Sequence, residues 1–433
     1  MRILLITDEV WNDQIHGNNI LSNWFDGFDA EFANVYCSPG LPLNNTCNKY
    51  FQITDSMMLK SIITNKKAGN AFSMEKTQEI NHEILAEGEN KKLYTNLKSI
   101  TTESLRALRE AIWYFGKYDI LALKKFINDF KPDIIFSPRF ASIKILRLER
   151  IILNIVKVPI IAFTGDAEYS LKLLRLSPVF WMKKFILRKM LRKMMPNYSL
   201  YYTLSEEQLK EYQEEFGKKF KILRKSGVFK DKYKEKEINT PIKLVYAGKL
   251  YSNRWKNLIE VSKNLKEINK DEVKMVLEIY TRDTLNDKQL KLLNDGKNSF
   301  VKGSATPKEL KEIYEEADIS LHVESFDLKN RLLTKLSFST KIIDCLASGC
   351  AVVVIAWDQH SGYTYLEKQD AAITMKNKKD VRDKLIELSN NKGLINEYAK
   401  KSWKCGHENH QKINVQYQIL QDFKNVIKQY KET

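Results

Sequence analysis

Chemistry-bearing side chains are densest in the stretch ESFDLKNRLLTKLSFSTKIIDCLASGCAVVV, residues 324–354. Ser339 and Thr340 are helix-capping types, a helix is predicted over Lys341 to Ala347, Gly349 ends it, and an apolar strand follows at once. Such a helix presents its N-terminus, with Lys341, to an anion lying beyond the strand ends. Asp344, one turn further, has two acceptor oxygens for paired hydrogen bonds from the ribose hydroxyls of a nucleotide. The plainer reading makes Asp344 a solvated helix residue and Lys341 a surface charge, and it leaves the order strand, loop, helix, glycine, strand unexplained.

A second cationic group lies in AGKLYSNRWKN, residues 247–257, where Lys249, Arg254 and Lys256 follow Gly248 between a buried strand and a helix start. One cation in a loop is usually only solvated, but three beside strand ends suit a diphosphate. Gly303, closing the strand SFVKG, joins the candidate donor-binding set. In the first loop, DEVWNDQIHGNN, Gly17 stands at a helix entrance where backbone N–H groups can approach a phosphate or a sugar. The loop lacks G-x-G-x-x-G, and Gly17 serves a plain strand-to-helix turn equally well. Asp166 and Glu168 form only a D-x-E, and no D-x-D occurs, so no metal bridging a diphosphate is expected and no cofactor is implied. His407 and His410 lie three apart without a third ligand nearby, which favours packing over zinc.

The elements that position these residues alternate. Apolar runs at RILLIT, DIIFS (133–137), PIIAF (159–163) and SLYYTL (199–204) are separated by helical segments, the mark of a parallel sheet covered on both faces. After the Lys-rich stretch KDKYKEKEINT (230–240) the alternation restarts with IKLVYAG and continues through VKMVLEIYT, SFVKG, ADISLHV, GCAVVVI and AAITM. The chain therefore reads as α/β, with two doubly wound Rossmann-like domains, and open parallel sheets bind ligands beyond the carboxyl ends of their strands. The division is a domain over residues 1–235, a second over 236–410, and a helix over 411–433 packing across the junction.

A length of 433 residues supports two cores, and 43% hydrophobic with 29% charged residues is the composition of a folded chain rather than a disordered one. The formal charge of +17 implies a polyanionic partner. Five scattered cysteines without a C-x-x-C pair suit a reducing cytosol, and the start MRILLITDE reads as a strand rather than a signal peptide, so a cytoplasmic location is expected. Residues 177–197 plot as a helix with Val179, Phe180, Ile186, Leu187, Met190, Leu191 and Met194 on one arc. Lys184, Arg188, Lys189, Arg192 and Lys193 occupy the other arc, which suits an anionic membrane surface, while the apolar arc packs on its own sheet. No nucleic-acid recognition motif is present.

The stretch around STKIIDCLASGCAVVV resembles glycosyltransferase family 4 and its GT-B relatives, whose signature runs E-G-F-G-x-P-x-x-E-A-x-A-x-G-x-P-V-V. The second acidic position falls on Asp344, and the first, eight residues earlier, on Leu336, which cannot contact a donor sugar as the family's Glu does. A branch with S-T-K-I or P-S-K-I at this place is matched by residues 339–342, and the resemblance then sets Lys341 on the donor phosphates. Glu324, in HVESFD, is the candidate for the missing carboxylate. GKLYSNRWKN looks like the family's diphosphate clamp, and YSLYYTLSEEQLKEYQEEFG resembles its A-D-x-V-I-x-x-S-E…F-G. In FTGDAEYS, where the family commonly carries His, this chain offers Asp166 and Glu168.

The resemblance implies a GT-B fold whose two sheets face a cleft. It also implies transfer of a sugar from a UDP- or GDP-sugar to a glycan or lipid-linked acceptor, in surface polysaccharide or glycoconjugate synthesis, with retention of configuration. Lys249, Lys256, Lys341, Asp166 and Glu324 are then the catalytic candidates. Gly17, Gly248, Arg254, Gly303, Ser339, Thr340 and Asp344 are the donor-binding ones, with no metal. A GT-B nucleotide-sugar epimerase, or a degenerate nucleotide-sugar-binding protein marked by Leu336, are the rival readings.

Overall fold

In a computed structural model of the chain, residues 1–14, 20–64, 66–74, 103–139, 142–165 and 167–432 are described. They form two compact units. Unit 1 comprises Met1–Leu171, Arg175–Leu223 and Gln416–Thr433, and unit 2 comprises Lys172–Leu174 and Arg224–Val415. The division falls at Leu223, ahead of the Lys-rich stretch, and residues 416–433 belong with unit 1. Gly17 and Asp166 lie outside the described residues.

Unit 1 is built on β1 (Arg2–Thr7), β2 (Glu31–Tyr36), β3 (Lys49–Gln52), β4 (Asn70–Ser73), β5 (Ile134–Arg139), β6 (Ile160–Thr164), β7 (Tyr198–Thr203) and β8 (Phe220–Ile222). Their order is β4-β3-β2-β1-β5-β6-β7-β8, parallel throughout except for β4 against β3. The strands with long Ile, Leu and Val runs stand where their patterns predict. β2, β3, β4 and β8 were not legible: β3, β4 and β8 are short, β4 is also largely exposed at the sheet edge, and β2 has its apolar run broken by Asn34. The helix Glu206–Phe216 shows local control: the Ser205 side chain accepts from the Gln208 N–H, and Gly217 closes the helix in the left-handed region.

Two buried charge clusters organise this unit. Arg139, fully buried at the end of β5, lies 2.9 Å from Glu149 and 3.2 Å from Glu168, and donates to Tyr198 Oη at 2.9 Å and Tyr201 Oη at 2.7 Å. Burial works against its charge, but the two carboxylates and the tyrosines outweigh it and hold the guanidinium well above its ordinary pKa. Glu168 is thus committed to Arg139. Lys144, also buried, meets Asp8 at 2.5 Å, donates to the Cys37 carbonyl at 3.0 Å and lies over Trp113.

The helix Pro178–Met194 corrects the arcs expected from its sequence. Lys184 is buried and donates to the Ala167 carbonyl at 2.8 Å, Arg188 lies over the Tyr169 ring at 3.6 Å, and Arg192 donates to Tyr169 Oη at 2.6 Å. Leu187, Leu191 and Met194 share that buried side, while Val179, Met182, Phe185 and Ile186 are exposed. The tertiary partners decide the outcome: the Ala167 carbonyl draws Lys184 inside, and the Tyr169 ring and Glu215 tie down Arg188 and the still exposed Arg192. Among the described residues no helix is long and apolar enough to cross a membrane.

Unit 2 carries β9 (Ile242–Ala247), β10 (Met275–Tyr280), β11 (Ser299–Gly303), β12 (Ile319–Val323), β13 (Ala351–Ile355) and β14 (Ile373–Met375), all parallel. Their order, β11-β10-β9-β12-β13-β14, is that of a dinucleotide-type doubly wound sheet, whose chain reverses direction of progress between β9 and β12. The chain beyond Val381 is helical, through Lys378–Asn390, Lys392–His410 and Lys412–Glu432. His410 is buried there at 2.6 Å from Tyr365 Oη, a packed role.

Replacing Arg139 with Met leaves Glu149 and Glu168 buried without their cation, and should cost about 3–5 kcal/mol. The stranded carboxylates are then easier to protonate than to keep charged, so the deficit should shrink as pH falls. Urea unfolding of both proteins at neutral and mildly acidic pH measures it, and a deficit independent of pH would contradict the assignment.

Candidate functional site

The carboxyl ends of β9 and β12 part at the reversal point of unit 2, which opens a crevice between their loops. The β9 loop leads into the helix Arg254–Ile268, and the first residue of that helix turns back to Glu324, just past β12. Arg254 donates from Nε to Glu324 Oε2 at 3.0 Å and from Nη2 to Oε1 at 2.6 Å, with both side chains buried. Asn257, also buried, donates to the Glu324 carbonyl at 2.5 Å. Burial alone would raise the Glu324 pKa, but His360 and Arg254 more than offset it and the carboxylate stays below its usual range.

His322 precedes Glu324 by two residues on the same strand face. Its Nε2 lies 4.0 Å from Glu324 Oε1 and has no hydrogen-bond partner among the described residues. Burial pushes its pKa down to about 3 against the pull of Glu324, so the ring is neutral at physiological pH. His360 stands 6.0 Å away between ring centres and caps the helix Ser361–Lys368 by accepting from the Gly362 N–H at 3.1 Å.

Lys341, the first residue of the helix Lys341–Ala347, reaches into the same place. Its ammonium lies so close to Gly248 that a Cβ there would sit 1.7 Å from Nζ, which explains a glycine at the end of β9. The Tyr246 ring centre is 5.4 Å from Nζ, and among the described residues no carboxylate pairs with it. Burial, and after it the Arg254 charge, draw the Lys341 pKa down to about 8 although Glu324 opposes them. A buried cation with a positive neighbour and no carboxylate of its own is stabilised by an incoming anion.

The helix start differs from expectation. Thr340 adopts helical angles (φ −58°, ψ −24°) and makes no side-chain cap; the Ser339 carbonyl instead accepts from the Ile342 N–H at 3.1 Å. A capping hydroxyl needs an extended backbone at the cap, which this turn does not give. Gly349 leaves the helix at φ +76°, as expected.

Of the candidates, Gly248, Arg254, Glu324 and Lys341 converge. Lys249 and Lys256 are exposed, near the rings of Tyr251 and Trp255 respectively. Asp344 is half exposed and pairs with Lys225 at 2.6 Å. Gly303 ends β11 at the far edge of the sheet, away from the reversal point, and Leu336 is buried. Sequence reasoning missed His322, Asn257, His360 and Asp283, whose Oδ2 accepts from the Leu250 N–H at 2.5 Å and ties down the β9 loop. One signal was available: Ser320, His322 and Glu324 alternate through an otherwise apolar strand and share one face.

Residues 241–421 match the protein family described as glycosyl transferase-like, a span that contains every residue of this crevice. No curated protein matches the chain. Among solved structures it is similar to TarM, at 15% identity and a TM-score of 0.53 over 72% of this chain, and it spans 58% of TarM's length. It is similar over 98% of its length to Anabaena HepE in complex with UDP and glucose, covering 100% of that chain (10% identity, TM-score 0.59). It also covers 99% of the E. coli trehalose-6-phosphate structure bound with UDP-2-fluoro glucose, over 98% of its own length (10% identity, TM-score 0.60).

Truncating Arg254 to Met should strand the buried Glu324 charge and lower stability by about 3–5 kcal/mol, whereas adding Glu324→Gln should return much of the loss. Denaturant midpoints of the two single variants and the double variant provide the cycle, and additive losses would show that the two side chains do not depend on each other.

Proposed function

We propose that this GT-B glycosyltransferase takes a sugar from a UDP- or GDP-sugar and passes it to a glycan or lipid-linked acceptor, with retention of configuration. The carrying observation is the buried Lys341 ammonium at the reversal point of unit 2, set against Gly248 and in no direct ion pair with a carboxylate among the described residues. Departure of a nucleoside diphosphate concentrates negative charge on the phosphate oxygen that leaves the sugar. A fixed cation aimed at that oxygen lowers the barrier because it needs no reorientation as the charge grows. Lys341 takes this role, and the exposed Lys249 and Lys256 meet the outer phosphate oxygens.

Arg254 and Glu324 act by position in this reading. Both oxygens of Glu324 are engaged by Arg254, so the pair fixes the β9 loop against the end of β12 and holds Gly248 beneath the phosphate. Asp344 binds the ribose by sharing its carboxylate with Lys225. The protein's own cations do the work that a divalent ion does elsewhere, so donor binding is metal-independent. UDP bound by HepE and UDP-2-fluoro glucose bound by the E. coli neighbour support the donor class, and the family-4 resemblance of STKI supports retention and a role in polysaccharide or glycoconjugate synthesis.

UDP or GDP should raise the melting temperature in EDTA, because a ligand that binds only the folded state stabilises it. Affinity should be full below the Lys341 pKa of about 8 and should decline as pH rises through it, since deprotonation removes the charge that the phosphate needs. Lys341→Met should weaken binding near neutral pH by roughly 1.5–3 kcal/mol, on the order of tenfold to a hundredfold, and flatten the pH profile. Calorimetric titrations across this pH range decide it; binding that vanishes in EDTA, or a variant with the wild-type profile, would overturn the reading.

A further inference from the structure

The helix Pro178–Met194 is inverted relative to an ordinary surface helix. It contains six cations and no acid, yet Lys184, Arg188 and Arg192 are held by the unit's own carbonyls, Tyr169 and Glu215. What it shows to solvent is Val179, Met182 (57% exposed), Phe185 (56%) and Ile186, followed on the same face by Lys189 and Lys193, with Arg192 exposed at its border although paired with Glu215. Beside it packs the helix Glu103–Phe115, joined to it by the Lys183–Glu110 ion pair at 2.6 Å, with Tyr114 and Phe115 each 66% exposed. A pocket of about 230 Å³ lies where these two helices meet the helix Ile143–Ile155, lined by Trp113, Tyr114, Phe115, Ile143, Arg147 and Ile186. Arg147 is occupied there by the carbonyls of Trp113 and Tyr114.

Contiguous exposed aromatic and aliphatic side chains on one face of a folded unit mark a surface that is covered in use. Charge complementarity identifies the cover. The cations bordering this face, Lys189 and Lys193, have no acidic neighbour on their own helix, and Glu110 on the adjacent helix is already paired with Lys183. Flanking exposed Lys with Phe, Met and Ile on the same face is the pattern that sinks apolar side chains among lipid headgroups while ammonium groups meet lipid phosphate. We propose that this face of unit 1 docks on the surface of an anionic lipid bilayer, Phe185, Ile186, Tyr114 and Phe115 entering it and Lys189 and Lys193 meeting the headgroups. The pocket between the helices then has the apolar lining to receive part of one hydrocarbon chain. The proposal stands apart from the nucleotide site, which lies in unit 2.

Flotation of the whole chain with vesicles of phosphatidylcholine, and of phosphatidylcholine mixed with phosphatidylglycerol, tests it. The wild type should float with the anionic vesicles and not with the neutral ones, and high salt should weaken binding by screening the lysines. Lys189→Gln with Lys193→Gln should reduce binding about tenfold or more, at about one headgroup contact per lysine. Phe185→Ser with Ile186→Ser should abolish it, and exposed positions of this kind leave the urea midpoint nearly unchanged. A control with Lys308→Gln and Lys311→Gln, exposed cations of unit 2, should float as the wild type does. The proposal fails if the wild type ignores anionic vesicles at low salt, or if the control loses as much as the Lys189 and Lys193 variant. It fails also if light scattering shows a dimer that Phe185→Ser with Ile186→Ser converts to monomer, since a second copy then covers the face.

Discussion

Arg254 and Glu324 grip each other by two hydrogen bonds where water does not reach, and the crevice of unit 2 depends on that grip. Taking both charges out of water costs several kcal/mol per ion, and only tight, paired geometry returns it. The pair therefore leaves little freedom: the first turn of the helix after β9 is bound to the end of β12 by a contact between residues seventy apart in the chain. Its field then reaches Lys341. The Arg254 charge, added to burial, makes Lys341 hold its proton less tightly than an ordinary lysine does.

Unit 1 solves the same problem with different residues. Its order also reverses, between β1 and β5, and there Asp8 from the β1 end pairs with buried Lys144 from the helix after β5. Arg139, at the end of β5, is neutralised by two carboxylates at once. In each unit the parallel sheet brings several loops to one edge, and buried ion pairs rather than apolar contacts bind those loops together.

The fold was legible where a local rule was strong. Runs such as RILLIT and AVVVI are long enough to mark buried strands, and Gly349 marks the helix end that it makes. Convergence of Gly248, Arg254, Glu324 and Lys341 was legible as candidates but not as partners, because pairing between residues 254 and 324 is a property of the sheet order. His322 was hidden in a strand that reads as apolar. The faces of the helix Pro178–Met194 were misjudged since a helical plot counts lysine and arginine as solvent-seeking, whereas carbonyls and the Tyr169 ring can hold them inside. Ser339 and Thr340 have the composition of a cap, but backbone angles decide whether a hydroxyl caps, and those follow from the turn that sets Lys341 in place.

Residues 416–433 belong with unit 1, where Phe423 packs against Phe25 and Phe136 and Asp422 accepts from Tyr202 at 2.6 Å. The order of synthesis then runs against the order of the sheets. Unit 2 is complete once residue 415 has emerged, while unit 1, although almost all of it is made first, still waits for the segment that fills its last aromatic gap. Domains made at a ribosome generally fold as they appear. Here the earlier-made unit is the later to close, and a nascent chain that has released residue 415 but not the segment after it carries a finished unit 2 and a unit 1 whose Phe25 and Phe136 still lack the Phe423 ring to pack on.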